Sequence, residues 1–139
     1  MTDRKYLPTL ADLVDRLTIV QQKAVFIPER RDEYRLEIDD ILHDIDVILT
    51  KLPKPLGAAE IRAICVIQLA NRFIWENESI ARNGGDGHDS RLKLTHSING
   101  VRNSAKNVLS HNTGGRQDYK VDCLASNLPA EFGNWDIFS

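Results

Sequence analysis

The chain has 139 residues, a formal net charge of −2 and 42% hydrophobic residues. This length suits one domain with a single core, and this composition is ordinary for a globular protein. Because both charge signs are spread along the sequence, a protein that binds the nucleic-acid backbone is not expected. No apolar run is long enough to cross a membrane, and no basic-then-apolar leader opens the chain. We therefore expect a cytoplasmic protein, with two cysteines that lack metal-ligand spacing.

Two amphipathic helices are predicted in the first third of the chain. Residues 10–26 place apolar side chains at i, i+3, i+4 and i+7, after an N-cap pattern made by Thr9 and Asp12. Pro28 ends this helix and suits the first turn of the next, which is predicted over residues 29–52. The second helix has an apolar seam that repeats in steps of four and three, as in a coiled coil, and its outer faces are acidic.

A third helix is predicted between Gly57, which can cap its start, and Asn83–Gly85, which stop it. Within this region, residues 63–85 are the stretch around which the rest of the chain would be organised. The first half is apolar on every side, which is typical of a helix surrounded by protein. The second half adds polar residues that fall on one stripe at 100° per residue: Gln68, Asn71, Arg72, Glu76 and Ser79. Buried polar groups need partners, so each would bind another part of the protein or a ligand.

A fourth helix is predicted to begin at Asp89 or Ser90 and to end within residues 112–115. Residues 116–139 show no sustained period, but they carry Leu, Phe and Trp side chains that favour burial. The sequence thus predicts an all-α protein. Residues 1–115 would form an antiparallel four-helix bundle, and residues 116–139 an irregular C-terminal tail on the bundle or a neighbouring subunit. The apolar tail and the heptad-like seams predict a homo-oligomer.

The polar stripe of helix three and a polar flank of helix four would face each other in such a bundle. Arginine binds phosphate or carboxylate groups with two parallel hydrogen bonds, amides orient a ligand, and Trp75 offers a stacking face. The predicted ligand-binding residues are Gln68, Asn71, Arg72, Trp75, Glu76, Asn99, Arg102, Asn103 and Lys106. In the alternative interpretation, Arg72 and Glu76 pair with the opposite helix and only set its register.

These residues predict non-catalytic binding of a small anionic, nucleotide-like ligand, with no cofactor. One alternative is a Mg²⁺-dependent nucleotide pyrophosphohydrolase that uses Glu37, Asp40, Glu76 and Glu78, although the usual Glu-Glu-x-x-Glu block is missing. A second alternative is a protein-interaction module that presents the acidic second helix. The glycine-rich link at residues 83–89 is either a phosphate or metal loop or only a helix stop.

Three patches of the chain resemble a known group of proteins: LADLVDRLTIVQQK, NRFIWENESIAR and HSINGVRNSAKN. They are similar to small all-helical proteins of bacteria and phages that are grouped as domains of unknown function. The resemblance implies that one arrangement contains Asp15, Arg16, Trp75, Glu76, Glu78, Arg82, Asn99, Arg102 and Lys106. If the chain is a phage protein, as the resemblance suggests, the predicted ligand would be a host signalling nucleotide that the protein sequesters. Asn77 separates two glutamates here, where the group's pattern has adjacent acidic residues.

Overall fold

A computed structural model describes residues 7–83, 88–113 and 133–135. Within these ranges the chain forms four α-helices and no strand, so the prediction of an all-α helical bundle is confirmed. The helices are α1 (Leu10–Phe26), α2 (Arg31–Thr50), α3 (Ala58–Arg82) and α4 (His88–Thr113), with a 3-10 turn at Pro28–Arg30 before α2. None of the described helices combines the length and the apolarity that crossing a membrane requires.

The start of α1 is set by the capping box that its sequence predicts. The Asp12 backbone N–H donates to Thr9 Oγ1 at 3.2 Å, and the Thr9 N–H donates to Asp12 Oδ2 at 3.1 Å. These reciprocal bonds satisfy backbone donors that a helix N-terminus otherwise leaves free. Pro28 lies at the first position of the 3-10 turn, where its missing N–H removes no helical hydrogen bond. The predicted boundaries of α1 are confirmed, and those of α2 differ by two residues at each end.

Helix α1 lies between α2 on one side and the α3–α4 pair on the other. Helices α3 and α4 pack against each other, and both pack against α1. Among the described residues, no Cα atom of α2 lies within 8 Å of a Cα atom of α3 or α4. The four helices therefore do not close into a ring, and two open surfaces run along opposite sides of α1.

Two hydrophobic clusters hold this arrangement together. The first joins α1, α3 and α4 and contains fully buried side chains such as Ile67 and Leu109, each 0% exposed. The second joins α1 to α2 and includes Val20, Tyr34 and Ile41. Helix α2 approaches α1 most closely, but its Ile45 and Ile48 pack against both clusters, so both clusters hold α2 in place.

The prediction that the first half of α3 is surrounded by protein is wrong on one side of the helix. Leu69 is 58% exposed, and Cys65 is also exposed. The physical reason is the position of α2, which packs on α1 and leaves this side of α3 uncovered.

Only Gly133–Trp135 of the predicted tail belong to the described residues. Trp135 packs against the first cluster and meets Phe73 edge to face, with ring centroids 6.1 Å apart. The prediction for the remainder of residues 116–139 lies outside the described residues.

Candidate functional site

A hydrogen-bonded group of four side chains joins α1, α3 and α4, and we call it the polar network: Asp15, Thr18, Asn71 and Arg102. Asn71 is 4% exposed, and its Nδ2 donates to Asp15 Oδ1 and to Thr18 Oγ1, both at 2.7 Å. Its Oδ1 accepts from Arg102 Nη1 at 3.1 Å. One amide therefore links a carboxylate of α1 to a guanidinium of α4. This satisfies the polar groups of Asn71 without any ligand.

Lys106 extends the network along α4. Its Nζ lies 3.2 Å from Asp12 Oδ1 and 3.8 Å from Asp15 Oδ2, while Arg102 Nε lies 4.0 Å from Asp15 Oδ1. Partial burial by itself raises the pKa of Asp12. The hydrogen bond from the Thr9 backbone N–H and the ammonium of Lys106 outweigh that effect, so the pKa of Asp12 lies below its usual value. Both aspartates therefore act as internal counter-ions for the cations of α4.

The network borders an open cavity of about 490 Å³ between α1, α2 and α4, which we call the charged cleft. Its lining includes three carboxylates and three cations: Asp12, Asp15, Glu37, Arg16, Lys23 and Lys106. Across the cleft, Arg16 of α1 binds Glu37 of α2, with Nε 3.0 Å from Oε1. Because the three carboxylates balance the three cations, the cleft has little excess charge of either sign.

The opposite side of α1 carries an apolar groove of about 1000 Å³ between α2 and α3. Its apolar lining includes Leu17 of α1, Leu42 and Leu49 of α2, and Ile64 and Leu69 of α3. Leu42 is 44% exposed and Leu49 is 37% exposed, so the apolar surface reaches the solvent. Contiguous apolar surface of this kind commonly marks a binding site.

The structure brings three of the predicted ligand-binding residues together: Asn71, Arg102 and Lys106. The resemblance had grouped Asp15 with Arg102 and Lys106, and these three do meet. Asn99 and Asn103 are half-buried on α4. Of the predicted ligand site, only the part that faces α1 is assembled, and there aspartates of α1 lie beside the cations of α4.

The rest of the predicted stripe of α3 does not face α4, and that part of the prediction is wrong. Gln68 and Arg72 line the apolar groove, and Glu76 is exposed and pairs with Arg72 at 2.7 Å. The Arg72 guanidinium also lies 4.2 Å from the ring centroid of Phe26. Trp75 packs on Phe26 as well, with ring centroids 6.2 Å apart, so one of its faces has a protein partner. The stripe spans a wide arc, and only its edge at Asn71 points into the bundle.

The alternative magnesium site is not assembled by the described residues. Glu37 and Asp40 lie on α2, whereas Glu76 and Glu78 lie on α3, and no Cα atom of one helix lies within 8 Å of a Cα atom of the other. Glu37 is bound to Arg16, and Glu76 to Arg72. Within the described ranges, no three side chains of His, Cys, Asp or Glu lie close enough to hold a metal ion. In the glycine-rich link, residues 84–87 lie outside the described residues.

Reasoning from residue types missed the α1 partners of the network, of which only Asp15 was indicated by the resemblance, and it missed a second buried amide. Thr18 was not predicted, and Asp12 was identified only as part of a cap. Asn77 is 5% exposed and donates to the Arg91 carbonyl at 2.6 Å and to Thr95 Oγ1 at 2.7 Å, which joins α3 to α4. The available signal was the spacing of Asp12, Asp15 and Thr18, which lie three residues apart and so share one side of α1.

Comparisons of the chain with protein-family models, with curated proteins and with solved structures find no match. The resemblance to small helical proteins of bacteria and phages therefore stays a prediction. The charged cleft and the apolar groove, on the two open sides of α1, are therefore the candidate binding surfaces.

Proposed function

We propose that this protein is an interaction module that binds an amphipathic helix of another polypeptide in the apolar groove. The observation that carries the proposal is the exposure of apolar side chains of α2 and α3 along one open groove whose third wall is α1. Burial of these side chains against a partner would release water from apolar surface, which is the main driving force of helix-in-groove binding.

The dimensions of the groove support this occupant. The α2 wall presents Ile38, Leu42, Ile45 and Leu49, which repeat in steps of four, three and four. At 1.5 Å per residue this wall is about 16 Å long, which matches roughly three turns of a partner helix. The walls of α1 and α3 supply the other two sides of a trough for one helix.

A designed peptide tests the proposal directly. The probe is a helix of about 14 residues with Leu at i, i+3, i+4 and i+7 and neutral Gln elsewhere, and fluorescence anisotropy measures its binding. We expect binding that Leu69→Ser weakens by roughly tenfold, since a buried leucine contributes about 1.5–3 kcal/mol. Leu36→Ser is the matched control, because Leu36 is 69% exposed on α2 but does not line the groove. An absence of binding, or equal loss in both variants, would refute the proposal.

The predicted nucleotide-like anion remains a second candidate function at the polar network. One observation favours it: Arg102 Nε is buried and has no hydrogen-bond partner among the described residues. Native mass spectrometry of the gently purified protein tests this function, and Arg102→Gln with unchanged circular dichroism is the control. A retained nucleotide-sized mass that disappears in the variant would support the anion site, and an empty protein would count against it.

The proposal includes location in the cytoplasm, which is supported by the exposed thiol of Cys65, because a reducing compartment keeps such thiols free. Assembly into a homo-oligomer also stays a prediction, and light scattering of the purified chain measures it. A monomeric mass would contradict that prediction without affecting the groove.

A further inference from the structure

We infer that the helix bound by the apolar groove is basic, with Lys or Arg on the flank that lies along α2. This inference rests on the proposed function, since it names the chemistry of the partner at the same groove. The evidence for a basic partner is the negative charge of α2 and the position of two of its carboxylates beside the groove.

Helix α2 is far more acidic than the chain as a whole. It contains seven carboxylates and two arginines, so its formal charge is −5, whereas the whole chain has a formal charge of −2. The carboxylate side chains therefore give one wall of an otherwise apolar trough a negative potential, which attracts a cationic partner.

Two of these carboxylates lie at the rim of the groove. Asp39 and Asp46 stand three residues before and four residues after Leu42, which lines the groove, so all three lie on the same side of α2. Both aspartates are exposed, and neither forms an ion pair within the described part of the chain. Arg35 is exposed on the same side of α2, four residues before Asp39, so these three side chains together offer a partner a net formal charge of −1.

The side chains that line the other walls add little charge. Arg72 is the cation in the lining of α3, and it is already bound to Glu76. Arg62 lies three residues before Cys65, at one end of the same wall. The α1 wall contributes uncharged side chains such as Thr18 and Gln21. A helix in the groove would consequently meet net negative charge on its α2 side, which favours basic residues beside its apolar stripe and disfavours acidic ones.

Three peptides with identical leucine positions test the inference, with Lys, Gln or Glu on the flank beside the leucines. Each exposed ion pair changes affinity by roughly 1.5- to 5-fold, so we expect the Lys peptide to bind about tenfold more tightly than the Glu peptide at low salt. The difference should shrink at high salt because ions screen exposed charges.

The double variant D39N/D46N should remove the preference for the Lys peptide and leave the binding of the Gln peptide unchanged. The matched control is D40N/D44N, which changes the net charge equally on the opposite side of α2, where both residues are also exposed. A preference that survives in D39N/D46N, or that is lost equally in the control, would overturn the assignment to the rim.

The outcomes separate this inference from the proposed function. Equal binding of all three peptides would overturn the inference and leave the groove as a helix-binding site. Binding of none would refute the proposed function itself. If sedimentation shows a dimer that Leu69→Ser dissociates, a second copy of the chain fills the groove, and the basic partner is wrong.

Discussion

The charged cleft and the apolar groove lie on opposite sides of the same helix, and they differ in how far their side chains are satisfied. In the charged cleft, Arg16 binds Glu37 and Lys106 binds Asp12. In the apolar groove, Leu42, Leu49 and Leu69 keep a third or more of their surface exposed. Most charged side chains on one side of α1 thus have partners inside the protein, while these three leucines on the other side are exposed among the described residues. Charges that are already paired within the protein have little left to offer a ligand, so an abundance of charged residues does not by itself identify a binding surface.

Substitutions on the two sides of α1 should therefore affect different measurements, the free energy of unfolding on one side and the affinity for a partner on the other. The polar network joins three helices through Asn71, so its loss should change the free energy of unfolding. The exposed leucines of the groove have less burial to lose, so their loss should mainly change partner affinity. Four substitutions test this difference, and their expected changes in the free energy of unfolding decrease from Asn71→Ala to Leu69→Ser.

Asn71→Ala should lower the free energy of unfolding by about 2–3 kcal/mol, measured by urea denaturation. The substitution leaves the half-buried Asp15 carboxylate and the Arg102 guanidinium without the amide that joins them, and such unsatisfied groups are costly. Gln68→Ala is the control, since Gln68 is exposed three residues earlier on the same helix. A similar loss in both variants would show that the polar network does not stabilise the fold.

Asp12→Asn should lower the free energy of unfolding at pH 7 by less than about 1 kcal/mol, because the Asp12 pair with Lys106 is partly exposed. The pKa of Asp12 in the folded protein is below its usual 3.8. Its contribution is therefore present above pH 3.8 and is lost as the pH falls through the folded value.

Urea denaturation at a series of pH values measures this dependence. The parent protein and Asp12→Asn should differ near neutral pH and converge in acid. Asp40→Asn, on the exposed face of α2, should show no such convergence. A constant difference between the parent protein and Asp12→Asn at every pH would show that the carboxylate charge has no role.

Arg16→Gln should lower the free energy of unfolding by at most about 0.5 kcal/mol at low salt, and by nothing measurable at high salt. The reason is the exposure of the Arg16–Glu37 pair, whose side chains are 65% and 33% exposed. Lys23→Gln in the same cleft is the control for net charge. A loss that persists at high salt would indicate that the two helices depend on this pair more than its exposure suggests.

Leu69→Ser should change the free energy of unfolding by no more than about 0.5 kcal/mol, since the leucine is 58% exposed. The same variant should weaken peptide binding, so the two measurements together distinguish a binding surface from a core. A loss of 2 kcal/mol or more would mean that Leu69 is covered in solution and that the apolar groove is not free.

Much of the fold could be predicted because it depends on local rules. The apolar period of α1, its capping box and the proline after it each act over a few residues, and the helix has its predicted boundaries. For the candidate site, Asn71 and Arg102 could be identified as buried polar groups that need partners. Their partners on α1 could not be assigned in the same way, because Asp15 lies 56 residues from Asn71 and no local pattern encodes that contact.

Hydrophobic periodicity, caps and breakers act locally, so the sequence predicts four helices, their approximate ends and the polar groups that need partners. The close approach of α2 to α1, rather than to α3 or α4, is visible only in the three-dimensional structure, and it leaves the apolar groove open. A heptad-like seam specifies that a helix packs against something, but it does not specify which neighbour. That choice depends on how side chains of distant segments fit together, and it made one side of α1 charged and internally paired and the other apolar and open.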